Sequence, residues 1–464
     1  MSKNYNLFYL FICLLCISRS SFAQQKTINF SELEATVNEE LKATNIPGAA
    51  VAVVIGDRVV FAKGFGVSNI ETGTPVNPDT LFRIASTTKM MTAAAAVALA
   101  QQGKLELNAP IGKYLPGLSP KLASVTMHQL LSHTAGIRDG ASFDGPHDDS
   151  ALATFVRSWT DDYLVAEPAE IFSYSNLGYV LAARVLEEVS GKPFADVMNE
   201  VLFQPLGMRR TTLRPIMAMT YPLAQGHDIL SGQTNPTIVR PFADDSRYWA
   251  NGGVFTSVLD FARFAIAIVN RGKIEGQQAL SPTVIAKLST PYVDTPGGNA
   301  DERPRYAYGL NVRDYRGVRV LQHGGLRVGF GSLVRMVPEY HFAVIVLTNK
   351  SNGLLLKTLE KATELAVPLQ PKTTTPPRQP IAMNEAEMKS YAGIYQNAPD
   401  YLRLELVVKE GKLFLRQAGQ SEMSQVVKVG DNIFDAGGQE FLLITGKSGK
   451  AKYMHLAAHA LRKM

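Results

Sequence analysis

The chain has 464 residues, enough for one large domain and a smaller second one. Hydrophobic residues make up 46% and charged residues 19%, a globular composition that excludes a disordered or fibrous protein. The formal net charge is +6, and the basic residues are scattered along the chain, so the sequence predicts no nucleic-acid-binding surface.

The first 23 residues have the features of a secretory signal peptide. Lys3 gives a basic start, residues 7–17 form an apolar run, and residues 21–23 offer small side chains for cleavage. The alternative interpretation of this segment is a buried N-terminal helix. The apolar run is too short to act as a stable membrane anchor. Both cysteines fall in this segment, which leaves the mature protein without a thiol (Cys13 and Cys16). We therefore expect an exported protein, periplasmic or secreted, with no membrane span after cleavage.

Segments rich in β-formers flank a helical middle. Residues 31–34 suggest a capping box at the start of a helix, and residues 49–65 predict a β-hairpin. An alanine-rich helix is predicted over residues 86–102, followed by helices and loops over residues 126–264. Strands return between residues 308 and 348. We therefore predict an α/β (α+β) domain whose sheet is built from both ends of the domain and packs against helices.

A stretch rich in proline and threonine, residues 367–382, predicts a stiff linker between two domains. It separates residues 24–366 from a C-terminal module, residues 383–464, whose short strands and glycine turns predict a small β-barrel or meander. We expect this module to fold separately and to contain no catalytic residue. It would then form a side wall or lid of the active-site cleft, bind a ligand itself, or only stabilise the protein.

Ser86 and Lys89 stand at the start of the alanine-rich helix. Three residues apart, they lie on one helical face, and the helix N-terminus favours negative charge developing on the serine. This arrangement suits a serine nucleophile with an amine partner. Taken alone, the pair is equally an N-cap serine followed by a solvated lysine.

A second motif is Tyr174-Ser175-Asn176, between helical stretches. Its phenol can transfer protons, and its amide can hold the lysine or a substrate carbonyl. A similar pair, Tyr395 and Asn397, lies in the C-terminal module and is interpreted as a chance match.

A third motif is His323-Gly324-Gly325, before the last strands of the large domain. Glycines there would let a substrate backbone approach the strand and let amides point at an oxyanion. The alternative interpretation is a turn with a surface histidine. A rival motif, residues 447–449, is interpreted as a hairpin turn.

The remaining histidines do not predict a metal site. His128 and His133 are expected to satisfy local hydrogen bonds, and His147, beside two aspartates, is expected in a solvated loop. No glycine-rich segment has the pattern of a phosphate or dinucleotide loop, so we expect no cofactor.

Together and in this order, the three motifs resemble the serine β-lactamase and penicillin-binding-protein superfamily. The branch with class C β-lactamases, D-aminopeptidases and related esterases is the most similar, over about residues 28–350. Supporting matches are residues 126–137, 251–257 and 323–349. The resemblance implies an antiparallel sheet flanked by helices, a helical subdomain and, more weakly, a lipocalin-like C-terminal domain.

The resemblance also implies a role for each motif residue. Ser86 would be the nucleophile, Lys89 and Tyr174 the proton-transfer pair, and Asn176 a positioning group. His323 would stand where class C enzymes have the lysine of Lys-Thr-Gly, and the adjacent Gly324 and Gly325 would contact substrate. The backbone amides of Ser86 and Leu326 would form the oxyanion hole.

These expectations describe an exported serine hydrolase that forms an acyl-enzyme on Ser86 and needs no cofactor. A histidine is mostly neutral at pH 7, so His323 should bind a substrate carboxylate weakly. This favours a peptidase or amidase, including one for D-amino-acid peptides, although Arg327 could supply the missing charge. The alternatives are a carboxylesterase, a true β-lactamase, or a covalent ligand sensor without turnover.

Two further points stay open at this stage. Burial and a neighbouring cation must shift either Lys89 or Tyr174 before one of them can act as the base, and the sequence does not decide which. The expected partner is a small-molecule or peptide substrate, and the sequence predicts no oligomeric state.

Overall fold

The computed structural model describes residues 28–296, 302, 304–373, 376–398, 402–446 and 450–464. The predicted signal peptide and the rival motif at residues 447–449 lie outside these described residues. Within them, no helix has both the length and the apolar character needed to cross a membrane.

The large domain is built on a nine-stranded antiparallel sheet. In chain order, the strands of this domain are β1 Gly48–Ile55, β2 Arg58–Asn69, β3 Thr74–Pro75, β4 Phe82–Arg83, β5 His227–Asp228, β6 Thr237–Ile238, β7 Phe255–Thr256, β8 Lys273–Ile274, β9 Gln277–Gln278, β10 Val293–Asp294, β11 Arg305–Tyr306, β12 Asn311–Tyr315, β13 Val318–Arg327, β14 Phe330–Val337 and β15 Phe342–Thr348. The strand order of the sheet is β10-β11-β12-β13-β14-β15-β1-β2-β3. Because β1 pairs with β15, both ends of the domain build one sheet, as predicted.

Helices cover both faces of the sheet. In chain order they are α1 Ser31–Thr44, α2 Thr88–Gln101, α3 Pro120–Ser124, α4 Met127–Leu131, α5 Ala151–Arg157, α6 Asn176–Ser190, α7 Phe194–Met198, α8 Gln204–Leu206, α9 Pro215–Ala218, α10 Trp249–Gly252, α11 Val258–Val269, α12 Pro282–Ser289, α13 Leu356–Ala366 and α14 Glu385–Tyr391. α1 and α13 pack on one face, and α2, α6 and α11 belong to the larger core on the other. The fold-class prediction is confirmed.

α2 explains how the sequence produces this core. Its run of small and apolar side chains is buried along almost its whole length, as expected for a helix that is apolar on all sides. The start of α1 differs from the prediction. Ser31 is the first helical residue rather than the cap, and the Asn29 side chain accepts the hydrogen bond from its amide at 3.0 Å.

The C-terminal module is a closed barrel of eight antiparallel strands. They are β16 Gly393–Gln396, β17 Arg403–Lys409, β18 Lys412–Gln417, β19 Ser424–Lys428, β20 Ile433–Ala436, β21 Gln439–Thr445, β22 Ala451–Leu456 and β23 His459–Lys463. The barrel has its own apolar core, which includes Tyr395, Phe434 and Phe441. It also packs on the large domain, where Tyr453 contacts Val165 and Ala166.

Candidate active site

Ser86 lies in a tight turn immediately before α2. The turn, Ala85–Thr87, is a 3₁₀ helix, and Ala85 has a positive φ of 49°. Two hydroxyl groups hold the turn, because Thr87 Oγ1 and Ser332 Oγ each donate to the Ile84 carbonyl at 2.6 Å. Ser86 is therefore fixed at the N-terminus of a buried helix, where partial positive charge stabilises an oxyanion.

Lys89 is fully buried beside Ser86. Its Nζ lies 3.2 Å from Ser86 Oγ, 2.7 Å from Asn176 Oδ1 and 3.0 Å from the Asn251 carbonyl oxygen. Burial lowers the pKa of Lys89 to about 7, and the Asp139 carboxylate partly opposes that shift. A neutral amine would donate its two hydrogens to the two carbonyl oxygens and direct its lone pair at Ser86 Oγ.

Asn176 is oriented by an acidic residue that no motif singles out. The Asp139 carboxylate accepts from the Asn176 backbone amide at 2.6 Å and from its Nδ2 at 3.3 Å. Because Nδ2 faces this carboxylate, Oδ1 must face Lys89. Asp139 lies just beyond the family-like stretch of residues 126–137, which is its only sequence signal.

The Tyr174 ring packs against the same lysine. Lys89 Nζ lies 4.7 Å from the ring centroid, a cation–π distance when the amine is protonated. The ring also lies against the imidazole of His133, with centroids 4.3 Å apart. The structure therefore brings Ser86, Lys89, Tyr174 and Asn176 together.

A hydrogen-bond chain joins the second and third motifs. The backbone groups at its two ends determine which nitrogen of each imidazole in the chain carries a hydrogen. The Ser175 amide donates to His133 Nδ1 at 3.1 Å, so His133 Nε2 must carry a hydrogen toward the Tyr306 hydroxyl at 3.2 Å. At the other end, His323 Nδ1 donates to the Gly324 carbonyl at 2.6 Å, so its Nε2 accepts from Tyr306 at 3.2 Å. Both imidazoles are neutral in this arrangement.

His323 is buried, only 5% exposed, and does not line the cleft beside Ser86. Burial, and then the positive charge of Lys89, lower the pKa of His323 to about 4. Both ring nitrogens are already bonded within the protein, and the substrate-binding role that the resemblance implies for His323 stays a prediction. The alternative of a surface histidine in a turn is wrong, because His323 lies within β13.

The two glycines of the third motif differ in the space that is available for a side chain. A Cβ on Gly325 would lie 2.4 Å from the Ile84 carbonyl oxygen and 3.0 Å from Ala85 Cβ. Only a glycine lets β13 approach the serine turn this closely. A Cβ on Gly324 would lie 3.5 Å from Leu333, an ordinary contact.

The cleft beside Ser86 encloses a cavity of about 50 Å³. Its lining combines apolar and aromatic side chains, Leu326, Phe143 and Tyr248 among them, with polar ones that include Asn251 and Asp245. Arg327 also lines it, with its guanidinium fixed by the Gly252 and Ala243 carbonyls, each at 2.9 Å. The cleft therefore contains a cation that does not belong to any of the three motifs.

The remaining predicted residues have structural partners. His128 Nδ1 pairs with the Tyr308 hydroxyl at 2.7 Å, and His147 Nδ1 pairs with Asp244 at 3.0 Å. Among the described residues, no group of histidine, cysteine and acidic side chains is arranged to hold a metal ion.

Tyr395 and Asn397, interpreted from the sequence as a chance match to the Tyr174 motif, belong to the barrel, and Asn397 also bonds to the large domain. Tyr395 is a core residue of the barrel, but Asn397 Oδ1 accepts from the Asp139 amide at 2.7 Å. The barrel therefore touches the active site, which the spacing of residues along the chain could not show.

A serine at a helix start, with a buried lysine and a tyrosine beside it, is the arrangement of a serine hydrolase. A family model described as beta-lactamase matches residues 33–367, and the chain belongs to this family, as the motifs predicted.

Two curated relatives and one solved structure illustrate the likeness. Unguisins hydrolase ungD' of Aspergillus campestris is 31% identical over 328 residues, which cover 68% of this chain and 60% of that relative. Penicillin-binding protein 4 of Amycolatopsis lactamdurans is 29% identical over 362 residues, covering 76% of this chain and 93% of that protein. The crystal structure of SurE has the same fold over 93% of this chain and 98% of its own, with a TM-score of 0.78 at 24% identity.

Proposed function

We propose that this serine hydrolase is an exported peptidase or amidase, and that its substrates, D-amino-acid peptides among them, need no carboxylate bound by the third motif. One observation carries the proposal. His323 is bonded at both ring nitrogens, and its pKa is lowered to about 4, so the third motif presents no positive charge near neutral pH.

The reaction follows from the arrangement of the side chains. Neutral Lys89 takes the proton of Ser86 Oγ as the oxygen attacks the substrate carbonyl, and the C–N bond of the tetrahedral intermediate then breaks. The protonated lysine, with Tyr174 beside it, returns that proton to the leaving amine. In the second half-reaction, neutral Lys89 takes a proton from water as the water attacks the acyl carbonyl. The bond to Ser86 Oγ then breaks, the acid leaves, and the proton returns to Ser86 Oγ. The amides of Ser86 and Leu326 are the oxyanion donors that the family resemblance implies.

Arg327 supports a second candidate function, the hydrolysis of substrates with a free carboxylate, β-lactams included. Its guanidinium lines the cleft and has hydrogens left after its bonds to two carbonyl groups. A carboxylate could pair with these hydrogens.

Matched substrates separate the two candidates. The kcat/KM of a D-aminoacyl-D-alanine dipeptide is compared with that of its C-terminal amide, alongside a short acyl ester and a cephalosporin. The proposal predicts that the amide is at least as good a substrate as the dipeptide and that the cephalosporin is poor. A clear preference for the dipeptide and the cephalosporin that Arg327→Gln abolishes and Arg327→Lys keeps would establish the second candidate instead.

A covalent sensor is the remaining alternative, and product release decides it. An enzyme releases product continuously, whereas a sensor gives one stoichiometric burst. The relative named as a hydrolase of unguisins favours turnover, and the relative named as a penicillin-binding protein keeps the alternative in the test. Export is tested by sequencing the N-terminus of the secreted protein, which should begin at Gln24.

A further inference from the structure

The Tyr174 segment lies in an irregular stretch, residues 171–175, just before α6. Such a segment must find partners for its backbone amides and carbonyls outside regular secondary structure. The turn between β22 and β23 of the barrel supplies them. The Tyr174 amide donates to the Ala458 carbonyl at 2.8 Å, and His459 Nδ1 donates to the Tyr174 carbonyl at 3.0 Å.

One barrel turn therefore holds the peptide groups on both sides of Tyr174. A third bond extends the contact, because the Ala460 amide donates to Ser173 Oγ at 3.1 Å. The His459 ring also meets the Tyr174 ring edge to face, with centroids 5.9 Å apart.

The turn itself has an unusual conformation. Ala457 and Ala458 have φ values of 47° and 73°, a left-handed region that is unfavourable for alanine and that two-residue hairpin turns usually fill with asparagine or glycine. Such a turn persists where surrounding contacts hold it. Here Ala458 contributes the carbonyl that accepts from Tyr174.

A second connection runs from the barrel to the lysine. Asn397 donates from Nδ2 to the Ala460 carbonyl at 2.8 Å, and its Oδ1 accepts from the Asp139 amide at 2.7 Å. Asp139 in turn orients Asn176, whose Oδ1 accepts from Lys89. The same barrel strand thus supports both members of the proton-transfer pair.

We propose that the C-terminal barrel completes the active site and that His459 and Asn397 are its positioning residues. His459 fixes the backbone of Tyr174, and Asn397 fixes Asp139 and, through it, Asn176. His459 Nδ1 also lies 3.7 Å from the Asp139 carboxylate. The bonds of both residues to the large domain are to backbone groups, so we infer that they act by positioning other residues. The predicted side wall would affect only substrates large enough to reach it. A barrel that positions Tyr174 and Asn176 instead affects the reactivity of Ser86 even toward the smallest substrate.

His459→Ala tests the proposal in the full chain. It removes the bond to the Tyr174 carbonyl, and we expect kcat for a short acyl ester to fall about 10- to 100-fold with KM little changed. The rate at which a fluorophosphonate labels Ser86 should fall in parallel. His459→Asn should recover most of the activity, because its Nδ2 stands one bond beyond Cγ, like His459 Nδ1, and can donate the same hydrogen bond.

Tyr453→Phe is the matched control. Tyr453 lies in the same interface, where its hydroxyl donates to Glu170 at 2.7 Å, and it has no part in holding Tyr174. This variant loses one contact between the domains and should keep wild-type kcat. If His459→Ala keeps the wild-type kcat, the barrel only packs on the large domain and the proposal is wrong. The same holds if Tyr453→Phe lowers kcat as much as His459→Ala does.

Asn397→Asp provides a readout that stays informative if His459→Ala does not fold. The new carboxylate still accepts from the Asp139 amide, but it loses the bond that Asn397 Nδ2 donates to the Ala460 carbonyl. It also adds negative charge behind Asp139, which favours protonated Lys89. The pH dependence of fluorophosphonate labelling should therefore move to higher pH. An unchanged profile would refute the connection from Asn397 to the lysine.

Discussion

Lys89 is the residue whose protonation state decides the chemistry. With a pKa of about 7, its amine is neutral in about half of the molecules at pH 7, against about one in three thousand for an ordinary lysine. If this amine is the base for Ser86, kcat/KM should rise about tenfold between pH 6 and pH 8 and then level off. The assay is the hydrolysis of a short acyl ester over this range, with fluorophosphonate labelling of Ser86 as a second readout.

Two variants identify the group that titrates. The Asp139 carboxylate favours the charged amine, so Asp139→Asn should lower the pKa of Lys89 further and move the rising limb to lower pH. Lys89→Arg keeps a cation that does not deprotonate, so it should lose about 100- to 10,000-fold in kcat/KM and show no such limb.

The opposite profile would refute this reasoning. If Tyr174 were the base, protonated Lys89 would support its phenolate, and activity would fall as Lys89 loses its proton. A kcat/KM that falls between pH 6 and pH 8, or a rising limb that Asp139→Asn leaves in place, would exclude Lys89 as the base.

Four further changes test the site. Ser86→Ala should remove the labelled residue and leave at most about 10³- to 10⁴-fold acceleration over water. Gly325→Ala should displace the serine turn, because its Cβ would lie 2.4 Å from the Ile84 carbonyl oxygen, and should lower kcat about 100-fold, while Gly324→Ala, with 3.5 Å to its nearest neighbour, should not. His323→Lys buries an ammonium group among partners arranged for a neutral ring, so thermal unfolding should show a loss of about 3 kcal/mol or more. Excess EDTA should leave ester hydrolysis unchanged, and activity that is lost in EDTA and restored by zinc would contradict this reading.

The sequence predicts those parts of the molecule that depend on local spacing. The composition of residues 86–102 predicts α2, and the Ser-x-x-Lys spacing predicts that both side chains lie on one face, although Ser86 lies in the 3₁₀ turn just before α2. The central strands of the sheet and four strands of the barrel follow from runs of β-forming residues bounded by turn residues, whereas the short edge strands β3, β10 and β11 carry no such run. These features are short-range, and the structure confirms the fold class that they predicted.

The residues that orient the catalytic groups are not predicted, because they are distant in sequence and common in type. Asp139 and Asn397 are 258 positions apart, and His459 and Tyr174 are 285 apart. A single asparagine just after a barrel strand, or a single histidine at the start of one, carries no pattern that separates it from a solvated side chain. Tyr306 likewise acquires its role only because β11 brings it between His133 and His323.

The energetics of the Tyr174 segment explain why a hydrolase of this kind would depend on a second domain. Fixing the backbone of each residue costs about 1–2 kcal/mol, and a typical hydrogen bond returns about 1 kcal/mol net. Three bonds from the large domain hold residues 173–175, and they use His133 and the Arg138 carbonyl. These three bonds stabilise the segment by about 3 kcal/mol, which equals only the lower end of the entropic cost of fixing three residues. With the three bonds from the barrel, the total gain reaches about 6 kcal/mol, the upper end of that cost. The ordered position of Tyr174 is therefore a property of the two domains together.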